Sequence, residues 1–239
     1  MSFTALLLVA AAGLYFTVGR DRLRALARRI RSRSRHGGAG ASAAARARQL
    51  RTPTVRLAEH LGIPTRRGRQ AARWAAGAEG ERRTAVRLAP LTRAGWTILH
   101  DRALPGSPAN LDHLAISPHG VVVLPDTKRW SARWPVTETG GRLFHGDLDV
   151  TGRLNGLRYE AARVAELLGT RVIPVALVDG APLPDGPLRL NGIAIVPAED
   201  ACHHLRALAR LTPAPPRDGP ALAALAASLF PPYHQGHRR

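Results

Sequence analysis

Three strand-type runs follow one another between Trp96 and Lys128, at 96–100 (WTILH), 110–117 (NLDHLAIS) and 120–128 (GVVVLPDTK). Only Pro118 and His119, flanked by Ser117 and Gly120, separate the last two, so they predict a hairpin. The amphipathic segment 157–169 has Gly169 as its stop signal. It leads into 171–179 (RVIPVALVD), a nearly continuous apolar run suited to a buried strand, and 192–197 (GIAIVP) repeats that character. Upstream, 77–96 predicts a helix of about three turns, with Ala85, Val86, Ala89 and a late leucine on one side and Pro90 near its end. The runs 201–211 and 221–230 close the chain as helices. Helix, three strands, helix, two strands and helices make an α/β fold, a mixed sheet covered on both faces.

Charge divides the chain differently. The 239 residues carry a formal net charge of +18. Residues 20–93 hold 20 arginines against four acids, whereas residues 94–239 hold 15 basic and 13 acidic residues. The basicity therefore belongs to the N-terminal third. A single cysteine, Cys202, excludes a disulfide scaffold and any zinc site built on paired thiolates.

Ser2 to Val18 is an uncharged run of 17 residues, followed at once by RDRLRALARRIRSRSR. As a helix it would span ~25 Å, just short of a hydrocarbon core of ~30 Å. A cleaved signal peptide is the rival reading, with Ala10–Ala12 as the processing site. A signal peptide needs a basic segment before its apolar run, and here the arginines come after it. The expectation is a single-pass anchor at the cell membrane with the rest of the chain cytoplasmic, because basic flanks stay inside. Arginines beside the span would then contact anionic headgroups. Residues 32–50, rich in Ser, Gly, Ala and Arg, read as a flexible tether, and 51–76 as short helical pieces broken by Pro53, Gly62 and Pro64. The expected organisation is an anchor (2–18), a basic linker (19–76), an α/β domain (77–198) and C-terminal helices with a tail (199–239).

The hairpin carries the chemistry. With its turn centred on Pro118 and His119, partner numbers sum to about 238, which sets Asp112 opposite Asp126. Lys128, two residues on, points to the same side. Lysine is otherwise absent from a sequence with 34 arginines. Two carboxylates beside an ammonium suit metal-assisted phosphodiester hydrolysis. Oxygen ligands bind Mg²⁺, which acidifies a bound water, while the ammonium offsets phosphoryl charge. A cross-strand salt bridge on a solvated face uses the same residue types.

The stretch 77–168 resembles a nuclease-related (NERD) domain, a family within the restriction-endonuclease-like PD-(D/E)xK superfamily. The resemblance rests on Gly80-Glu81 in the first helix, Asn110-Leu111-Asp112-His113 on the second strand, and Gly120 to Lys128 with its DxK ending. It implies a restriction-endonuclease-like mixed sheet flanked by helices, with Mg²⁺ or Mn²⁺ held by Asp112, Asp126 and the Thr127 carbonyl. It also implies Lys128 as the catalytic lysine and Glu81 as a helix carboxylate that helps to place metal or water. Asp126 stands where relatives commonly carry Glu. The later helix has Leu157-Arg158-Tyr159-Glu160 where many relatives include a glutamine.

His113 alternates away from Asp112 and reads as a core histidine. His203 and His204 read as helix surface beside Cys202, and Trp130 and Trp134 as cover for the core rather than base-stacking platforms. The leading expectation is a membrane-anchored, Mg²⁺-dependent nuclease acting on DNA or RNA at the cytoplasmic face. The alternative is a non-catalytic membrane-tethered scaffold whose Arg-rich segment contacts lipid headgroups or nucleic acid.

Overall fold

The computed structural model describes residues 38–213 and 217–233. The apolar run 2–18 and the arginine block after it lie outside the described residues. Among the described residues, no helix is long and apolar enough to cross a membrane.

Among the described residues three helices come first: α1 (Ala41–Leu50), α2 (Pro53–His60) and α3 (Arg66–Arg93). The breaks fall where Pro53, Gly62 and Pro64 put them, with Pro53 in the first turn of α2. Residues 41–50 are not the expected tether. They form a helix that buries Ser42, Ala43 and Ala47, while Ala71 and Ala78 are buried on α3, the helix it packs against. Alanine favours the helix, and small side chains let the two backbones approach closely. Gly40, at φ 73, sits against α3 so closely that a Cβ there would lie 2.5 Å from the Ala78 carbonyl oxygen.

The helix expected from residue 77 is the second half of α3, and its inner face matches the expected one only in its late leucines. Val86 is 74% exposed, and the buried side is Gly80, Glu81, Thr84, Leu88 and Leu91. A face of glycine, threonine and glutamate lacks an apolar signature, which is why the periodicity misleads. Pro90 is accommodated inside the last turns of the helix. The carbonyl that loses its partner there is that of Val86, on the exposed side.

The sheet has six strands in the order β1-β2-β3-β7-β9-β8. They are β1 (Thr97–Ala103), β2 (Asn110–Ile116), β3 (Val122–Arg129), β7 (Val172–Asp179), β8 (Leu188–Leu190) and β9 (Ile193–Pro197). The first three run antiparallel, and β3, β7 and β9 run parallel, so the sheet is mixed. Between β3 and the next helix a small three-stranded sheet is inserted, made of β4 (Val136–Thr139), β5 (Arg142–His145) and β6 (Leu148–Asp149). Helix α4 (Asn155–Leu168) follows and stops at Gly169 in the left-handed conformation, as its sequence predicts. Helices α5 (Ala201–Leu211) and α6 (Gly219–Leu229) close the chain.

Strand alternation assigns side chains to two cores. Val122 and Leu124 join Leu157, Val164 and Leu168 of α4 and Leu222 of α6 on one face. Val121, Val123, Val175 and Leu177 join Leu88 and Leu91 of α3 and Leu205 of α5 on the other. By the same alternation, Asp126 and Lys128 face the α4 side of the sheet and Thr127 faces α3.

The hairpin register follows the expectation, with Ala115 paired to Val123 and Ile116 to Val122, partners that sum to 238. The ladder ends there. Beyond Ala115 and Val123 the strands part before Asp112 and Asp126 are reached, while β3 stays paired with β7 out to Arg129.

Candidate functional site

At the mouth where β2 and β3 part, five charged side chains from four elements come within electrostatic reach of one another. Asp112 comes from β2, Asp126 and Lys128 from β3, Glu81 from α3 and Glu160 from α4. The Lys128 ammonium pairs with Asp126 at 2.5 Å. That leaves three carboxyl groups around a pair that is already neutralised. Burial, followed by repulsion from Asp101 and Asp126, pushes the Glu81 carboxyl up to about 7. Burial, then Asp126, does the same to Glu160, also to about 7. Asp112 rises well above the ordinary carboxylate range through burial and the charges of Glu81, Asp126 and Glu160, with Lys128 opposing. One ammonium is too little cation for this much carboxylate.

A supporting layer fixes these groups. Asp101 lies on β1 with a left-handed φ of 48 and is fully buried. Its Oδ2 accepts the Ser42 amide at 2.7 Å, capping the N-terminus of α1 from another element. The Asn110 amide donates to Asp101 Oδ1 at 3.2 Å, to Asp112 Oδ1 at 3.4 Å and to Ser42 Oγ at 3.3 Å. A backbone hydrogen bond from Gly40 reaches Glu81 and favours its ionised form, opposing part of the upward shift. The positive end of α1 therefore points at two of the carboxyl groups. On the other side of β3, the Thr127 and Thr84 hydroxyls share a hydrogen bond of 2.7 Å, tying the DxK segment to α3.

The donor set fits a hard divalent cation. Every side-chain donor is a carboxylate oxygen, and Glu81 Oε2 is buried without a hydrogen-bond partner. Among the described residues, no three His, Cys, Asp or Glu side chains converge closely enough to hold a metal ion by themselves. Mg²⁺ does not require three. It is commonly bound through one or two carboxylates and takes water or phosphate oxygens in its other positions.

The four residues predicted as catalytic, Glu81, Asp112, Asp126 and Lys128, are thus brought together. Glu160, in the region that lacks the glutamine of many relatives, joins them. Its signal in the sequence was a charge three residues from Leu157 and one from Ala161, on the buried side of α4. Asp101 left no such signal, since its role depends on a kinked strand and on α1.

The remaining candidates stay outside the cluster. His113 is fully buried and shares a hydrogen bond with His100, Nδ1 to Nδ1, at 2.8 Å. His203 and His204 lie on α5 with their rings edge to face. Trp130 is 6% exposed and stacks on His145, so it covers core as expected, whereas Trp134 is 49% exposed beneath the Arg133 guanidinium.

Comparison with known families matches residues 76–176 to the nuclease-related domain, NERD. No curated protein and no solved structure matches the chain.

Proposed function

We propose that this chain, whose residues 76–176 carry a nuclease-related domain, hydrolyses phosphodiester bonds of DNA or RNA at the mouth of the β2–β3 hairpin. The observation that supports the reading is the cluster itself, with Glu81, Asp112 and Glu160 gathered around the Asp126–Lys128 pair. Asp112 and Asp126, with the Thr127 carbonyl, would hold Mg²⁺ or Mn²⁺. The ion would supply an acidified water and a positive charge facing the phosphoryl oxygens. Lys128, held by Asp126, offsets charge growing on the phosphate and fixes its orientation. Glu81 and Glu160, with carboxyls near 7, hold or release a proton at neutral pH and suit proton transfer with the attacking water or the leaving oxygen. Asn110 and Asp101 keep Asp112 in place. The apolar run 2–18 would tether the domain to the cytoplasmic face of the membrane, and the arginines after it would meet lipid headgroups.

A second reading is favoured by α1, which uses Asp101 and Glu81 as caps. On that view the cluster is structural and the protein is a non-catalytic membrane-tethered scaffold. Incubating the full-length chain with plasmid and single-stranded DNA or RNA, with Mg²⁺ or Mn²⁺, separates the two. The nuclease reading expects metal-dependent cleavage that Lys128→Ala and Asp112→Asn each reduce at least ~100-fold. Equal cleavage by the variants, or none by the parent, leaves the scaffold.

A further inference from the structure

On the α3 side of the same sheet end lies a cleft of about 580 Å³ that the cluster does not use. Arg83 and Arg87 of α3, Arg129 at the end of β3, and Trp130 and Asp179 line it. Its floor is built by two turns that touch. The Trp130 amide donates to the Asp179 carbonyl at 3.1 Å. Gly180, at φ 103, passes so near that a Cβ would lie 2.6 Å from the Trp130 carbonyl oxygen. Only glycine allows both that backbone and that approach.

Donors outnumber acceptors here. Both oxygens of Asp179 are engaged, one by Arg83 at 2.7 Å and the other by Arg87 at 2.8 Å. Each guanidinium spends a single nitrogen on that carboxylate and keeps its other N–H groups. Arg83 Nε is buried with no hydrogen-bond partner. Arg129 is exposed, and no carboxylate among the described residues pairs with it. Three guanidiniums against one carboxylate leave an excess of two positive charges beside one buried donor without a partner, an arrangement that an oxyanion would relieve. Planar guanidiniums match a phosphate's oxygens in pairs.

Position identifies the anion. Arg129 is the chain neighbour of Lys128 and points to the opposite face of the sheet. The cleft and the carboxylate cluster therefore flank the same strand end, on either side of β3. We infer that the cleft holds a backbone phosphate of the polynucleotide whose scissile phosphate lies at Lys128, so that the strand crosses the carboxyl end of β3 and β7. The inference rests on the nuclease reading for its substrate, and its test uses binding without cleavage.

The experiment measures anisotropy of a labelled single-stranded oligonucleotide and of its duplex against the full-length chain in EDTA, across a salt series. Because the arginine-rich residues 20–50 would attract a polynucleotide non-specifically, charge reversal is compared at two positions. Arg129→Glu is expected to weaken binding ~10-fold and to flatten the log affinity against log salt slope by about one for the duplex. Arg210→Glu, on the exposed end of α5, is expected to change affinity less than ~2-fold, and Arg129→Lys to recover most of the loss. Equal effects of the two reversals overturn the inference, as does an Arg129→Glu variant that binds both oligonucleotides as the parent does. Cleavage is scored separately with Mg²⁺. A parent that cleaves while Arg129→Glu binds normally removes the cleft and leaves the nuclease. A parent that does not cleave while Arg129→Glu binds weakly removes the nuclease and leaves the cleft.

Discussion

Asp101 stands opposite Asp112 across the β1–β2 pair, between the register partners His100 with His113 and Arg102 with Leu111, and the Asn110 amide donates to both carboxylates. Asp101 adopts a backbone conformation that few residues other than glycine, asparagine and aspartate tolerate. Its carboxylate also terminates α1. Asp101→Asn keeps the backbone preference and one acceptor, so stability within about 1 kcal/mol of the parent is expected. Asp101→Ala strands the Ser42 amide and forces alanine into the left-handed region, costing about 2–4 kcal/mol. Denaturant melts of the two variants check this, and equal stability would show that the Asp101 side chain does not anchor α1.

Charge in the cluster makes stability depend on pH in a definite direction. Glu81 and Glu160 have folded values near 7, above 4.5 for the free side chain. The folded state therefore binds more protons between pH 4.5 and 7. The stability this confers is complete below 4.5 and is lost as pH rises through 7. Mg²⁺ acts on the ionised form. It is expected to raise the melting temperature at pH 8 by several degrees and to have little effect at pH 5, while Glu81→Gln with Glu160→Gln removes most of the difference. A melting temperature equally insensitive to Mg²⁺ at both pH values would argue against a cation site.

The histidine pair works in the other direction. Burial, then the Arg102 charge, lowers His100 to about 4 from 6.5, and burial, then His100, lowers His113 to about 3. The unfolded chain binds protons that these rings refuse, so their stabilising share is present above 6.5 and is lost as pH falls towards 4 and 3. Replacing both with leucine should flatten the acid limb of a stability-against-pH curve below 6 while leaving the limb near 7 in place. Urea midpoints between pH 4 and 8 read both limbs from the same samples.

Gly40 is the point where α1 meets α3. Gly40→Ala would place a methyl 2.5 Å from the Ala78 carbonyl oxygen and impose a positive φ on alanine. A loss of about 2–3 kcal/mol is expected. It should be accompanied by proteolytic cutting between Gly40 and Arg51 before the sheet is attacked. A protease-resistant, fully stable Gly40→Ala variant would mean that α1 docks less tightly than described.

The strands and the hairpin register were legible because alternation has a period of two and a two-residue turn leaves little freedom in pairing. Asp112, Asp126 and Lys128 followed from that register alone. How far a ladder runs is a different matter, set by twist and by what lies against the strands, and the parting beyond Ala115 and Val123 had no signature. Glu160 was legible in principle, as a charge on the buried side of an amphipathic helix. Helix α1 was not, since its Ala- and Arg-rich composition is shared with flexible linkers and its packing uses alanines instead of large apolar side chains. The inner face of α3 was concealed in the same way, by Gly80, Glu81 and Thr84 at positions where a core helix usually carries leucines.

The short pairing between β2 and β3 also divides the sheet mechanically. Asp112 belongs to a plate formed with β1, whereas Asp126 and Lys128 belong to a plate anchored along β7. Only two register pairs join the plates, at the far end from the carboxylates. No ladder hydrogen bond between β2 and β3 spans the gap from Asp112 to Asp126, whereas Asp126 and Lys128 pair within one strand. The aperture of the site is thus a dimension that the sheet's own ladder between β2 and β3 does not set.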